Sequence, residues 1–188
     1  MSTDHETTEP FRPTKRLYVA FGGLLAMTLM VALDSTTVSV ALPTFAKELH
    51  GSANDTFWIG TAYLICSTVF QPVYGTLSFI LGRKFSIYIA LFFFAIGAVL
   101  AGVATTIPMM LAGRSLQGVG GAGLIALTEI VLADLIPLRY RGTYTGVLAS
   151  MYALGGGVGP VVGGLFAQSN WRWIVSIDRH IPHQSARR

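Results

Sequence analysis

FWIGTAYLICSTVFQPVYGTLSFILG, the stretch from Phe57 to Gly82, contains no charged side chain. After Arg83 and Lys84 the chain enters a second uncharged run, from Phe85 to Gly113. A helix that crosses a hydrocarbon core roughly 30 Å thick needs about 20 residues, so each run is long enough to span. A water-soluble domain of this size can hide one such helix in its core, but not a succession of them. Across the 188 residues 52% are apolar and only 12% charged, about half the charged share of an ordinary soluble domain. A closed strand barrel also crosses lipid with every backbone group paired, but it needs alternating polarity, and these runs are solidly apolar. The pattern specifies an all-α polytopic membrane protein.

Five spans follow, over about 17–41, 57–80, 87–105, 109–132 and 144–168. Residues 1–16 are expected to form a disordered cytoplasmic tail, because the opening nine residues are polar and acidic, unlike the basic start of a signal peptide. Arg12, Lys15, Arg16, Arg83, Lys84, Arg139 and Arg141 fall on one side of five alternating spans, against Lys47 and Arg172 on the other. Basic residues in short flanks mark the cytoplasmic side, which puts the N-terminus in the cytoplasm. The expected location is therefore a membrane crossed several times, with the plasma membrane as the first choice. The net charge of +4 is spread over separate loops rather than gathered on one face, which argues against nucleic-acid binding. Cys66 stands alone, so there is no disulfide framework. The histidines lie outside the spans, and neither a metal, another cofactor nor membrane-embedded enzyme chemistry is expected.

The residues that do not belong in lipid point to function. Asp34 lies 17 residues after Leu17, roughly 25 Å along a helix rising about 1.5 Å per residue. A carboxylate at that depth is costly unless it is paired, protonatable or facing a cavity. Arg114 enters its span from the opposite direction and reaches a similar depth, so an Asp34–Arg114 pair or shared polar network is geometrically allowed. Gln117 stands one turn from Arg114 on the same face. The plainer alternative is that each charge marks a water-facing helix end. Glu129 is a candidate for contact with substrate or proton, or an anchor at the inner end, and Asp134 is expected to face water. Glycine is the second anomaly, at 21 residues. Gly155, Gly159 and Gly163 recur every four residues, with Gly164 beside them. They form a smooth strip for another helix, and Pro160 is expected to kink their helix. A static packing seam and a moving joint both fit that pattern.

Four segments carry a family resemblance. They are Asp34-Ser-Thr-Thr-Val-Ser-Val-Ala-Leu-Pro43, Gly75-Thr-Leu-Ser-Phe-Ile-Leu-Gly-Arg-Lys84, Arg114-Ser-Leu-Gln-Gly-Val-Gly-Gly121 with its glycine run, and Gly155-Gly-Gly-Val-Gly-Pro-Val-Val-Gly-Gly164. In this order they resemble signatures of the major facilitator superfamily, and most closely its drug:proton antiporter branch of fourteen-span multidrug and toxin exporters. The resemblance runs over about 17–177. It implies an incomplete six-helix N-terminal transporter bundle whose partners are the bilayer, protons and a small amphipathic organic substrate. It further implies that Arg114 governs proton coupling, that Gly159 and Pro160 shape the alternating movement, and that Gly75, Gly82, Arg83 and Lys84 belong to a cytoplasmic gate. One departure stands out: the gate signature usually carries an acidic residue where this chain has Phe79.

The match continues through Trp171-Arg-Trp-Ile174 and gives way to a polar tail, 178–188, that is too short and polar to span. The expectation is an N-terminal fragment of a proton-coupled exporter, inactive by itself. A sugar or nutrient transporter of the same superfamily, or a non-transporting partner subunit, are the alternatives.

Overall fold

The computed structural model describes the backbone of residues 15–48 and 52–168, and the side-chain surroundings of 15–40 and 52–161. The expected tail before Lys15, the segment from Trp171 to Ile174 and the polar segment 178–188 lie outside the described residues. So do the surroundings of Gly163 and Gly164.

The chain forms five α-helices: α1 (Lys15–Glu48), α2 (Ala53–Ile80), α3 (Arg83–Gly102), α4 (Ile107–Leu135) and α5 (Leu138–Gln168). Among the described residues there is no strand. Helices α1, α2, α4 and α5 each contain one expected apolar run and start before it, whereas α3 starts four residues before its expected run and ends at Gly102, three residues short of that run's end. Before α2 the Ser52 hydroxyl accepts from the Asp55 N–H at 3.3 Å, and the Asp55 carboxylate accepts from the Ser52 N–H at 2.8 Å, a reciprocal cap. Between α2 and α3 the chain turns at Gly82, whose φ of +83° falls in the region that side chains avoid. Thr106 precedes α4, with Pro108 in its first turn, where a missing N–H costs nothing.

Four of the described helices, α1 to α4, are long and apolar enough to cross a membrane. The expected fifth span falls on α5, which does not meet that measure over its described part. Glycines 142, 146, 155, 156, 157 and 159, with Thr143, Thr145 and Ser150, dilute its apolar character. It is nonetheless 31 residues long and packs along α1.

In lipid the hydrophobic effect does not drive helix association, so close packing and polar contacts must hold the bundle. Helix α4 is the hub. In its most apolar stretch 56% of residues are buried, against 22% in the corresponding stretches of α1, α2 and α3. Its glycines make this central position accessible. A Cβ added at Gly118 would stand 2.6 Å from the Tyr63 carbonyl oxygen on α2. One added at Gly120 would stand 2.6 Å from the Ala90 carbonyl oxygen and from Phe94 Cα on α3. Val31, Tyr74, Ala90, Phe94, Ala122, Leu124 and Leu127 join α1, α2, α3 and α4 in one core. Leu24, Leu132, Ile136 and Leu148 join α1, α4 and α5 in another, nearer the end carrying Arg83 and Arg141. Large apolar side chains such as Leu64, Val69, Tyr88, Phe92 and Val99 face outward, as a bilayer-facing surface requires.

Candidate functional site

The sequence places one carboxylate in α1 and, on α4, an arginine and a glutamine three residues apart on one face. The fold closes them into a triangle. Arg114 Nη1 donates to Asp34 Oδ2 at 3.2 Å and to Gln117 Oε1 at 2.7 Å, while Gln117 Nε2 donates to Asp34 Oδ1 at 2.6 Å. Both carboxylate oxygens are therefore held, and the guanidinium is shared. The Arg114 side chain is 4% exposed and that of Asp34 17%. Charges this buried need both a counter-charge and further hydrogen bonds to offset desolvation, and this geometry supplies both. Gly97 on α3 is part of the support. A Cβ there would lie 2.6 Å from Gln117 Cα, so α3 packs directly behind the glutamine.

Tyr63 completes the cluster. Its ring centroid lies 4.3 Å from the Arg114 guanidinium carbon, and the residue is buried. Sequence reading missed it, because a tyrosine in an apolar run carries no charge to draw attention. The usable signal was a phenol in the uncharged part of α2, and only the fold shows that it covers an arginine. A desolvated cation–aromatic contact is worth up to about 2 kcal/mol. Tyr63→Leu is expected to destabilise the reconstituted bundle by about that amount, and Tyr63→Phe by less than half of it. Denaturant titration of helix content in mixed micelles measures both; equal losses would place the effect in the hydroxyl instead of the ring.

The network lies between two cavities. One, of about 410 Å³, is bounded by Met27 and Val31 of α1, Leu124 and Glu129 of α4, and Leu148 and Tyr152 of α5. The other, of about 500 Å³, is bounded by Ser35 and Ser39 of α1, Thr56, Thr61 and Tyr63 of α2, and Arg114 itself. Along α1 the first cavity precedes Asp34 and the second follows it, so the charge triangle separates them.

The remaining candidates fall elsewhere. Glu129 is exposed in the first cavity and does not join the triangle. Arg83 Nε donates to Asp134 Oδ2 at 2.8 Å and its Nη1 to Ser78 Oγ at 2.6 Å. Asp134 is exposed, as expected, and this pair also ties it across the α3–α4 gap. Phe79 is exposed, with its ring centroid 5.0 Å from the Arg83 guanidinium. An aromatic face therefore stands beside the arginine where the resembled signature has a carboxylate. Lys84 is exposed and makes no ion pair among the described residues. Gly75 has open space around it. Gly155 and Gly159 lie against α1: a Cβ at Gly155 would come within 2.5 Å of Ala32 Cβ, and one at Gly159 would collide with the Thr36 hydroxyl. Thr36 and Thr37 donate to the Gly155 and Gly159 carbonyl oxygens at 3.3 and 3.4 Å. Pro160 sits within α5 without ending it. No group of three histidine, cysteine or acidic side chains suited to a metal ion occurs among the described residues.

An all-helical bundle with four helices able to cross a membrane and a buried charge network at its centre defines a polytopic membrane protein. The family model "Major Facilitator Superfamily" matches residues 24–178, and the chain belongs to that superfamily, a family of transporters and not of enzymes. The curated relatives include "MFS transporter L2" of Phoma sp., 49% identical over 171 residues, and "MFS efflux transporter aclA" of Aspergillus oryzae, 40% identical over 164 residues. "MFS-type efflux pump MMF1" of Pseudozyma antarctica is 39% identical over 163 residues. These matches cover 90%, 87% and 87% of the chain, but only 29%, 30% and 30% of the relatives. The chain thus spans under a third of the length of these fungal transporters and efflux pumps.

Proposed function

We propose that the chain contributes the first bundle of an exporter in which inward proton movement drives small organic compounds outward. Asp34, Arg114 and Gln117 are its proton-responsive element. The observation that carries this reading is the position of the triangle: a carboxylate held on both oxygens, between one cavity on each side. Adding a proton to that carboxylate removes its charge and weakens both hydrogen bonds into it. That loosens the contact between α1 and α4 and gives the proton a way to change which cavity is open. The names of the relatives favour export over nutrient uptake. The proposed orientation puts the N-terminus in the cytoplasm and the protein in the plasma membrane. In that orientation the Arg83–Asp134 pair ties α3 to α4 at the inner surface. Gly155, Gly159 and Pro160 form the surface on which α5 shifts against α1.

Alternating access in this superfamily needs two bundles around a central site. Because the chain covers under a third of its relatives, we assign transport to a protein that supplies the second bundle and expect none from the 188 residues alone. The test replaces the matched segment of the Phoma transporter with residues 24–178 and follows efflux of amphipathic dyes from proteoliposomes under an imposed pH gradient. Gradient-dependent efflux that falls at least tenfold in Asp34→Asn is the expected result. Efflux indifferent to the gradient, or unchanged in Asp34→Asn, would overturn the reading.

A further inference from the structure

Helices α1 and α5 lie side by side in a single register. Phe21 meets Tyr144 edge-on with ring centroids 5.0 Å apart, Ala32 packs at Gly155, and Thr36 packs at Gly159. Each pair is separated by the same number of residues along the chain, so the two helices run parallel. Carried back to the start of α1, that register sets Lys15 level with Leu138 and Arg16 level with Arg139. The same end therefore gathers the positive ends of two helix dipoles. The first turns of both helices carry no acidic residue. Lys15 and Arg139 are exposed and make no hydrogen bond or ion pair with the described residues. Asp134, the described carboxylate nearest in sequence to α5, is held by Arg83 at 2.8 Å. Arg141 is also committed, to the Ala133 carbonyl oxygen of α4 at 2.8 Å. Two cations thus stand at one corner of the bundle without a counter-charge among the described residues.

The surface above them narrows the chemistry. Phe21 and Leu24 of α1, with Tyr144 and Leu148 of α5, pack toward the end of α4. At about 100° per residue, Lys15, Tyr18 and Gly22 follow one another along a different side of α1, and Arg139, Thr143 and Val147 do so along α5. All six are exposed. They border a furrow between the two helices, on the side away from α4. Its floor is open at Gly22, where an added Cβ would have nothing within 4 Å. Tyr18 is 61% exposed and Val147 42%. In a bilayer such side chains meet acyl chains, with tyrosine favoured at headgroup level. A phosphate group accepts charge-assisted hydrogen bonds from both an ammonium and a guanidinium. A free phosphate would meet the two cations but leave the furrow bare, whereas a lipid occupies both. We infer that the furrow between α1 and α5 binds an anionic phospholipid, with Lys15 and Arg139 on its headgroup and Tyr18, Gly22, Thr143 and Val147 along an acyl chain. In the orientation proposed above, this lipid belongs to the inner leaflet, where anionic lipids concentrate. The inference goes beyond the exporter reading and needs neither a gradient nor a second bundle.

The 188-residue chain in detergent is titrated with dioctanoyl phosphatidylglycerol or dioctanoyl phosphatidylcholine, and bound lipid is counted by native mass spectrometry. The two probes share their chains and phosphate and differ in net charge. Phosphatidylglycerol is expected to bind about tenfold more tightly or better, since each basic residue at a membrane surface contributes about fivefold. Lys15→Gln and Arg139→Gln are each expected to weaken phosphatidylglycerol about fivefold and to leave phosphatidylcholine unchanged. Lys84→Gln removes a cation at the turn between α2 and α3 instead, and is expected to change neither lipid. Inorganic phosphate at matched concentration is expected not to displace phosphatidylglycerol. Equal affinity for the two lipids would overturn the assignment. Equal losses in Lys84→Gln and Arg139→Gln would do the same by tracing the preference to diffuse surface charge, and full displacement by inorganic phosphate would replace the lipid with a free anion. Should the variants fold poorly, the unaltered chain in nanodiscs containing phosphatidylglycerol with a photoactivatable chain supplies a second measurement. Cross-links are expected within residues 18–22 and 143–147, and cross-links confined to other segments would overturn the site.

Discussion

Arg114→Ala is expected to abolish gradient-driven efflux in the chimaera while leaving membrane insertion intact. Insertion depends on the uncharged runs, which the substitution does not touch. The network depends on the guanidinium, which donates to both Asp34 and Gln117. Removing one partner of a buried pair leaves the other charge uncompensated, at a cost of about 3–5 kcal/mol. Asp34→Asn in the Arg114→Ala background is therefore expected to recover much of the lost stability but none of the proton dependence. Arg114→Lys is expected to rescue poorly, because a point charge cannot reproduce a planar group that bridges two acceptors and lies on the Tyr63 ring. Efflux rates across a range of imposed gradients, set beside denaturant midpoints, separate the two effects. Retained gradient dependence in Arg114→Ala would remove Arg114 from the coupling element.

Gly120→Ala is expected to destabilise the bundle although it adds a single methyl group. Within a helix, alanine is normally favoured over glycine by about 1 kcal/mol. At Gly120 the new Cβ meets backbone atoms of Ala90 and Phe94, which no rotamer change can move aside. Overpacking of this kind costs about 1–3 kcal/mol, and here the α3–α4 contact has to open to relieve it. Gly156→Ala is the internal control: it is also helical, with nothing within 4 Å of the added carbon, and is expected to be neutral or mildly stabilising. Opposite signs for the two variants, read as denaturant midpoints in mixed micelles, are the expected outcome. Matching signs would mean that α4 does not pack on α3 as closely as the structure has it.

Uncharged run length, a property of the sequence alone, determined that the chain is helical and lipid-embedded, because unpaired backbone in hydrocarbon leaves few other options. Counting residues along the spans brought Asp34 and Arg114 to one level, since helix rise is nearly constant. Rotation and neighbour choice are different in kind. Gly118 and Gly120 are two residues apart, roughly 200° around a helix of 3.6 residues per turn, so they open opposite faces. Nothing local says that α2 takes one face and α3 the other. The glycine strip of α5 announced a close partner without naming α1. Tyr63 and Asp134 acquired their roles only when α2 met Arg114 and α3 met α4. The uncharged stretch from Phe57 to Gly82 established a membrane helix through its own composition. The pairing of its Tyr63 with Arg114 was decided by tertiary packing, because contact between helices depends on which small residues let two backbones meet.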